Sequence, residues 1–236
     1  MAMIAVWWAA IIVLGIESYL APTPPQVVTA LVSSIDYLAS NAVTTLLEVI
    51  QGYLIAVGLG LAVGGLLATS ETVERALMPS IVAVNAVPKL AFAPLLLVWM
   101  GFGQGPKVVM VVLLCTFPIL LACVAGLTRT PSEMIELARS LPASRWQILT
   151  RFRLPAAMPQ IFVGLKTAMP LAVIGALVGE LSGSTGGLGY VIQNAGADTG
   201  TAFAAITLLA AISVGLFYVL VAAERILLPW ARAITD

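Results

Sequence analysis

Long apolar runs separated by short polar breaks recur along the whole chain. A helix of about 20 such residues crosses ~30 Å of hydrocarbon. Six runs of that scale can be placed, at roughly 3–20, 44–69, 78–100, 106–127, 156–181 and 202–223. A transmembrane barrel would need alternation over ~10-residue strands, and the pattern shows none. The prediction is an all-α, polytopic membrane protein with about six transmembrane helices. The first run, at 3–16, could be mistaken for a signal peptide. It lacks a basic leading region and is followed by no clean small-residue cleavage site, so it is read as a retained span. Between the first two spans, ESYLAPTPPQVVTALVSSIDYLAS carries three prolines. Its half-apolar part, Val27 to Leu38, is predicted to lie at the membrane surface.

Composition agrees with the pattern. Of 236 residues, 61% are hydrophobic and 9% charged, too few charges to cover a soluble domain of this size. The net charge is zero, so no polyanion-binding surface and no nucleic-acid partner are implied. The chain has no histidine, which removes Ser-His-Asp and Cys-His catalysis and every histidine-containing metal site. Cys115 and Cys123 share one run, and eight helical residues separate them by ~12 Å, too far for a disulfide.

Lys and Arg outside the spans set orientation. Arg75, Arg129, Arg139, Arg145, Arg151, Arg153, Arg225 and Arg232 fall on one side; only Lys107 falls on the other, with Glu17, Asp36 and Asp198. The basic side is cytoplasmic, so both termini face the cytoplasm.

Three spans carry further signals. Gly52, Ala56, Gly60, Gly64 and Ala68 repeat at spacing four and line one helix face. Such a stripe allows close helix packing in lipid, either within the chain or at a subunit interface. In the third span Pro88 and Pro94 each remove a backbone hydrogen bond and predict a kink. Lys89 lies about midway along that span, with Asn85 one turn earlier on the same face. A charge there must face a cavity or a partner, so Lys89 and Asn85 are either structural or lining a pathway. Six glycines between Gly179 and Gly196 make the end of the fifth span too flexible for a plain helix. A re-entrant or interfacial segment is expected there, with Gly186, Gly187, Leu188, Gly189 and Tyr190 as a candidate gate. Glu180, just before it, is a third candidate pathway group and could pair with Lys89 across the bundle.

The charge of this apolar chain gathers in one place: Arg129, Glu133, Glu136, Arg139, Arg145, Arg151 and Arg153. Thr130-Pro-Ser-Glu133 is a capping box with proline at the first helical position. Met134, Leu137, Ala138 and Leu141 then form an apolar stripe flanked by Glu136 and Arg139, until Pro142 stops the helix. Ser144-Arg-Trp-Gln147 is a second capping box. It opens a helix with Trp146, Leu149 and Phe152 apolar and Arg145, Arg151 and Arg153 exposed, and Leu154-Pro155 is expected to break that helix. Neither helix is long enough to be stable alone. Each stripe must be buried against the chain's own helix ends or in a groove on another protein.

The stretch resembles the EAA loop of ABC-transporter permeases of the binding-protein-dependent importer type. The family pattern is Glu-Ala-Ala, three residues, Gly, nine residues, then Ile, any residue, Leu-Pro. Here it reads Glu136-Leu137-Ala138, then Arg139-Ser-Leu141, Pro142, nine residues, and Phe152-Arg-Leu-Pro155. Leu137, Phe152 and Pro142 depart from it, and Pro142 gives the elbow a fixed φ where glycine would be free. VPKLAFAPLLLVWMGFGQGPKVV (87–109), GLGYVI (187–192) and FAAITLLAAISVGLFYVLVAAERILLPW (203–230) resemble the nitrate/sulfonate/taurine branch.

The resemblance implies a type I ABC importer permease fold, with residues 1–236 as one permease domain and a coupling loop at about 128–154. It also implies a second copy of the chain, a pair of cytoplasmic ATPase subunits and an external substrate-binding protein. The location would be a prokaryotic inner membrane. Met134, Glu136, Leu137, Ala138, Arg139, Leu141, Pro142 and Arg145 would face the ATPase. ATP and Mg would be bound there and no cofactor here; the chain itself would be non-catalytic. GFGQGPK (101–107) fails the phosphate-loop pattern, because Pro106 stands at the required glycine and Val108 at the Ser or Thr. The rivals are an ATP-independent channel or secondary transporter and, more remotely, an intramembrane enzyme.

Overall fold

The computed structural model describes residues 2–15, 17–128, 140 and 144–230. The elements, in chain order, are α1 (Ala2–Leu14), α2 (Pro24–Ser33), α3 (Ile35–Leu67), α4 (Glu71–Asn85), a 3-10 turn (Lys89–Phe92) and α5 (Ala93–Met100). They continue with α6 (Gly105–Thr128), α7 (Arg145–Ile148), a π-turn (Leu149–Arg153), α8 (Leu154–Ser182), α9 (Leu188–Asn194) and α10 (Thr199–Leu227).

Glycine sets the spacing of the three central helices. On α3, a side chain at Gly52 would meet Val111 at 2.5 Å, at Gly60 Ile119 at 2.8 Å, and at Gly64 Cys123 at 2.8 Å. The partner numbers rise together, so α3 and α6 run parallel. On α8, Gly164 lies on the Pro118 carbonyl, Gly175 on Val111 and Gly179 on Lys107. Here the α6 numbers fall as the α8 numbers rise, so α8 is antiparallel to α6. Helix α6 is therefore clasped on both sides at backbone contact, the packing that holds helices together where lipid is as apolar as leucine. The small-residue stripe on α3 thus faces α6 of its own chain.

Two cross-links tie the trio further. The Tyr53 hydroxyl donates to the Leu165 carbonyl at 2.8 Å, and the Cys115 thiol to the Ala168 carbonyl at 3.3 Å. Helix α10 packs on α8, α9 and α2. Trp7 of α1 stacks on Phe203 of α10 with ring centroids 6.0 Å apart.

Among the described residues, four helices are long and apolar enough to cross a membrane: Ile35–Leu67, Gly105–Thr128, Trp146–Ser182 and Thr199–Leu227. A fifth crossing is the pair Thr72–Asn85 and Lys89–Met100, bent by 66°. The first expected span is shorter than predicted. Helix α1 has 13 residues, about 20 Å at 1.5 Å per residue, against the ~30 Å of a hydrocarbon core.

Three local expectations change as well. The segment from Val27 to Leu38 is not one surface element, because the helix breaks at Ser34 (φ −116°, ψ 26°) and α3 starts at Ile35. The kink of the third span falls at Pro88 alone. Pro94 stands in the first turn of α5, where its missing N–H has no partner to lose. Leu154-Pro155 does not break the chain: Trp146–Ser182 is one continuous helix of 37 residues. The π-turn just before Pro155 spreads the preceding carbonyls and makes room for its ring.

Candidate functional site

The bend of the third span opens a cleft of about 440 Å³ between α3, α4 and α6, lined among others by Leu59, Val84, Asn85, Lys89, Thr116 and Phe117. Lys89 begins the 3-10 turn after Pro88. The Lys89 ammonium donates to Asn85 Oδ1 and lies 5.5 Å from the centroid of the Phe117 ring. Both Lys89 and Asn85 are half-buried. A cation over an aromatic face is held electrostatically without losing its charge; the exposed wall of the cleft beside it is almost wholly apolar. Asn85 and Lys89, expected one turn apart on the same face, are in hydrogen-bond contact.

The pairing of Lys89 with Glu180 is absent. Glu180 is fully buried at the far end of α8, where three helices and the glycine-rich segment meet. Its carboxylate accepts from the Thr45 hydroxyl at 2.6 Å and from the Gly189 N–H at 2.5 Å. The Thr45 hydroxyl oxygen accepts the Leu188 N–H, and Asn41 Oδ1 the Gly187 N–H, each at 2.8 Å. One turn along α3, Glu48 accepts from the Lys107 ammonium of α6 at 2.7 Å. Lys107 itself is 6% exposed, so the sequence expectation of an outer-loop lysine is corrected: it is a core residue, packed on Gly179. Burying that charge is tolerable only because Glu48 neutralises it.

Asn41, Thr45 and Glu48 were missed at the sequence level. The signal was available: polar side chains at 41, 45 and 48 follow helical spacing and share one face of α3. Lys166 and Glu224 were missed too; they form a 2.7 Å ion pair between α8 and α10, each side chain about a quarter exposed.

The expected gate leads into helix α9 and includes its first three residues. Leu188, Gly189 and Val191 are buried, Gly186 and Tyr190 half-buried. Gly187 has φ +103°, and a side chain there would overlap the Glu180 carboxylate, so two independent constraints demand glycine.

At the opposite end, the second predicted capping box is formed. Ser144 N–H donates to Gln147 Oε1 at 2.7 Å, and Gln147 N–H to Ser144 Oγ at 3.2 Å. The stripe of this helix divides: Leu149 packs on the cluster of Ala68, Cys123, Leu127 and Ala157, whereas Trp146 is 69% exposed. Met134, Glu136, Leu137, Ala138, Arg139, Leu141 and Pro142 lie outside the described residues; Arg145 is the first residue of α7. Nearby, Thr69, Glu74, Arg75, Thr128 and Arg153 line a polar cleft of about 440 Å³.

Residues 55–227 match the family model of the binding-protein-dependent transport system inner membrane component. The chain is 38% identical to a probable ABC transporter permease protein of Haemophilus influenzae, over 89% of this chain and 87% of that protein. It is 34% identical to the formylaminopyrimidine transport permease protein ThiX of Halalkalibacterium halodurans, over 92% and 88%. It is 31% identical to the taurine transport system permease protein TauC of Escherichia coli, over 97% and 86%. Among solved structures, a chain of the MetNI methionine ABC transporter in an inward-facing conformation superposes with a TM-score of 0.70 at 21% identity, covering 86% of this chain and 99% of that one. The fold is that of type I ABC importer permeases, and the chain belongs to the binding-protein-dependent transport system inner membrane component family, as a permease subunit of an ABC importer.

Proposed function

We propose that two copies of this chain form the solute pathway of an ATP-driven importer, with the cleft at the bend of the third span as part of that pathway. The observation that carries this is the placement of Lys89 and Asn85. They sit at a broken helix in mid-span, beside a cleft, whereas the buried Lys107 is paired with Glu48 and the buried Glu180 is held by Thr45 and the Gly189 N–H. Irregular backbone at membrane depth is tolerated where it lines a cavity, and an intramembrane cation beside such a cavity is a pathway candidate. The ammonium suits a solute with an anionic group. Nitrate, sulfonate, taurine or a vitamin precursor are the solute types in keeping with the relatives.

Residues 1–236 act as one permease domain without covalent chemistry. The loop at about 128–154 docks on a cytoplasmic ATPase pair, which binds ATP and Mg. Glu136, Arg139 and Arg145 supply the charged contacts; Met134, Leu137, Ala138 and Leu141 supply the apolar stripe. The loop leads without a break from α7 into α8, so a push on it reaches the glycine-rich segment at the other end. ATPase closure then shifts the population from an inward-open to an outward-open pathway. An external binding protein delivers solute to the outer face. With α1 as a sixth crossing, the arginine-rich ends and both termini face the cytoplasm.

The test is a mild-detergent pull-down of the tagged chain from its host, with Glu136→Arg in parallel. The wild type is expected to recover an ATPase subunit and the variant to lose it. An intact oligomer with no ATPase in either sample would favour a channel or secondary transporter.

A further inference from the structure

The N–H of the N-cap residue Gly187 and the first two N–H groups of α9 are capped not by its own sequence but by three side chains from two other helices. Gly187 N–H goes to Asn41 of α3, Leu188 N–H to Thr45 of α3, and Gly189 N–H to Glu180 of α8. The Thr45 hydroxyl closes the set by donating to Glu180. Helix α9 has seven residues, too few to persist without tertiary support. Its support is this set of bonds and the burial of Leu188 and Val191, which are 0% and 1% exposed. A backbone N–H left unpaired in a dry interior is costly. Lifting α9 would strand three of them together with a buried carboxylate. Below the set, Lys107 and Glu48 join α6 to α3 and lie against Glu180.

We propose that Glu180, Thr45 and Asn41 are positioning residues that fasten the gate segment to α3 and α8, so that the outer gate moves as one body with these helices and α9 does not swing alone. This rests on the permease reading for the word gate, but the fastening itself does not. Glu180 never meets the solute; it acts through the Gly189 N–H. Two features of the segment follow from the same contact. Gly187 and Gly189 both pack on the Glu180 side chain, and any Cβ at either would strike it.

The experiment uses Val191→Cys, buried under α9, in membrane vesicles carrying the full transporter, with a membrane-impermeant maleimide as probe. Labelling requires α9 to lift. Glu180→Ala is expected to speed labelling about tenfold, the equivalent of one charge-assisted hydrogen bond. Glu180→Gln, which can still accept from Gly189 and meet Thr45, is expected to stay within about twofold of the parent. If Glu180→Ala does not fold, Thr45→Val removes two bonds of the set while keeping the shape, with the same expectation. In the parent, labelling should be equally slow in nucleotide-free and vanadate-trapped transporter. Unchanged labelling in folded Glu180→Ala or Thr45→Val, failed rescue by Glu180→Gln, or exposure of Val191→Cys on vanadate trapping would each overturn the proposal. Recovery of no ATPase with the chain would instead count against the importer reading, since the labelling of Glu180 variants needs no nucleotide.

Discussion

Glu180 and Lys89 are both charged side chains in apolar spans, and the sequence offers them as equals. The structure treats them differently. Glu180 sits in a sealed cluster where Thr45, Gly189 and, through Glu48, Lys107 surround the carboxylate. Lys89 sits at a helix break, half-buried, with one amide and one ring face as partners and a cleft of about 440 Å³ in front of it. A charge within a span is therefore no pathway marker by itself. Its partners decide. Where they are buried side chains and backbone of neighbouring helices, the charge holds helices together; where they leave it half-buried at a helix break beside a cleft, it is the candidate to meet a solute.

The largest expected effect comes from breaking the sealed cluster. Lys107→Met leaves Glu48 as a buried, unpaired charge, and removing one member of a buried pair costs about 3–5 kcal/mol. The variant should fail to accumulate, and Lys107→Met/Glu48→Leu should recover much of the loss, read by size-exclusion yield in detergent. Normal yield of the single variant would dissolve the distinction between the two regions.

A second, smaller effect tests the packing that seals the cluster. A methyl at Gly179 would lie 2.9 Å from Lys107 Cα. Gly179→Ala should therefore push α8 from α6 and cost about 1–3 kcal/mol, seen as a lowered melting temperature. An unchanged melting temperature would mean the helices are not at backbone contact there.

Legibility in the sequence follows the same divide. The central helices, the broken third span and the Ser144–Gln147 capping box were readable because each rests on local signals: apolar length, proline and cap spacing. The Asn85–Lys89 pair was readable for the same reason, being one turn apart. The sealed cluster was not. Its members come from α3, α6, α8 and α9, and nothing local tells Glu180 that Thr45 rather than Lys89 is its neighbour. Lys107 misled most, since a lysine six residues after a glycine turn reads as loop charge until Glu48 is seen opposite it. Pro155 misled for a local reason: the π-turn that absorbs it has no sequence signature as plain as the proline itself.

At the bend, Lys89→Met should leave yield and melting temperature unchanged, within about 0.5 kcal/mol. It should lower ATP-driven uptake about tenfold, the loss of one charged contact to solute. Taurine is a suitable first probe in proteoliposomes, given the relatives. Unfolding of this variant, in place of lost uptake, would move Lys89 into the structural class. The smallest effect is expected at Lys166 and Glu224, whose partly exposed pair should contribute no more than about 1 kcal/mol. Glu224→Gln should therefore melt within a few degrees of the parent.

The contrast is tested most directly by water access to the two clusters in one membrane preparation. Asn85→Cys and Thr45→Cys would each be exposed to a small hydrophilic thiosulfonate in vesicles. The parent chain, whose Cys115 and Cys123 are buried, serves as background. The expected result is rapid modification of Asn85→Cys and modification of Thr45→Cys slower by about tenfold or more. Equal rates at the two positions, or faster reaction at Thr45→Cys, would contradict the division into a sealed cluster and an accessible cleft.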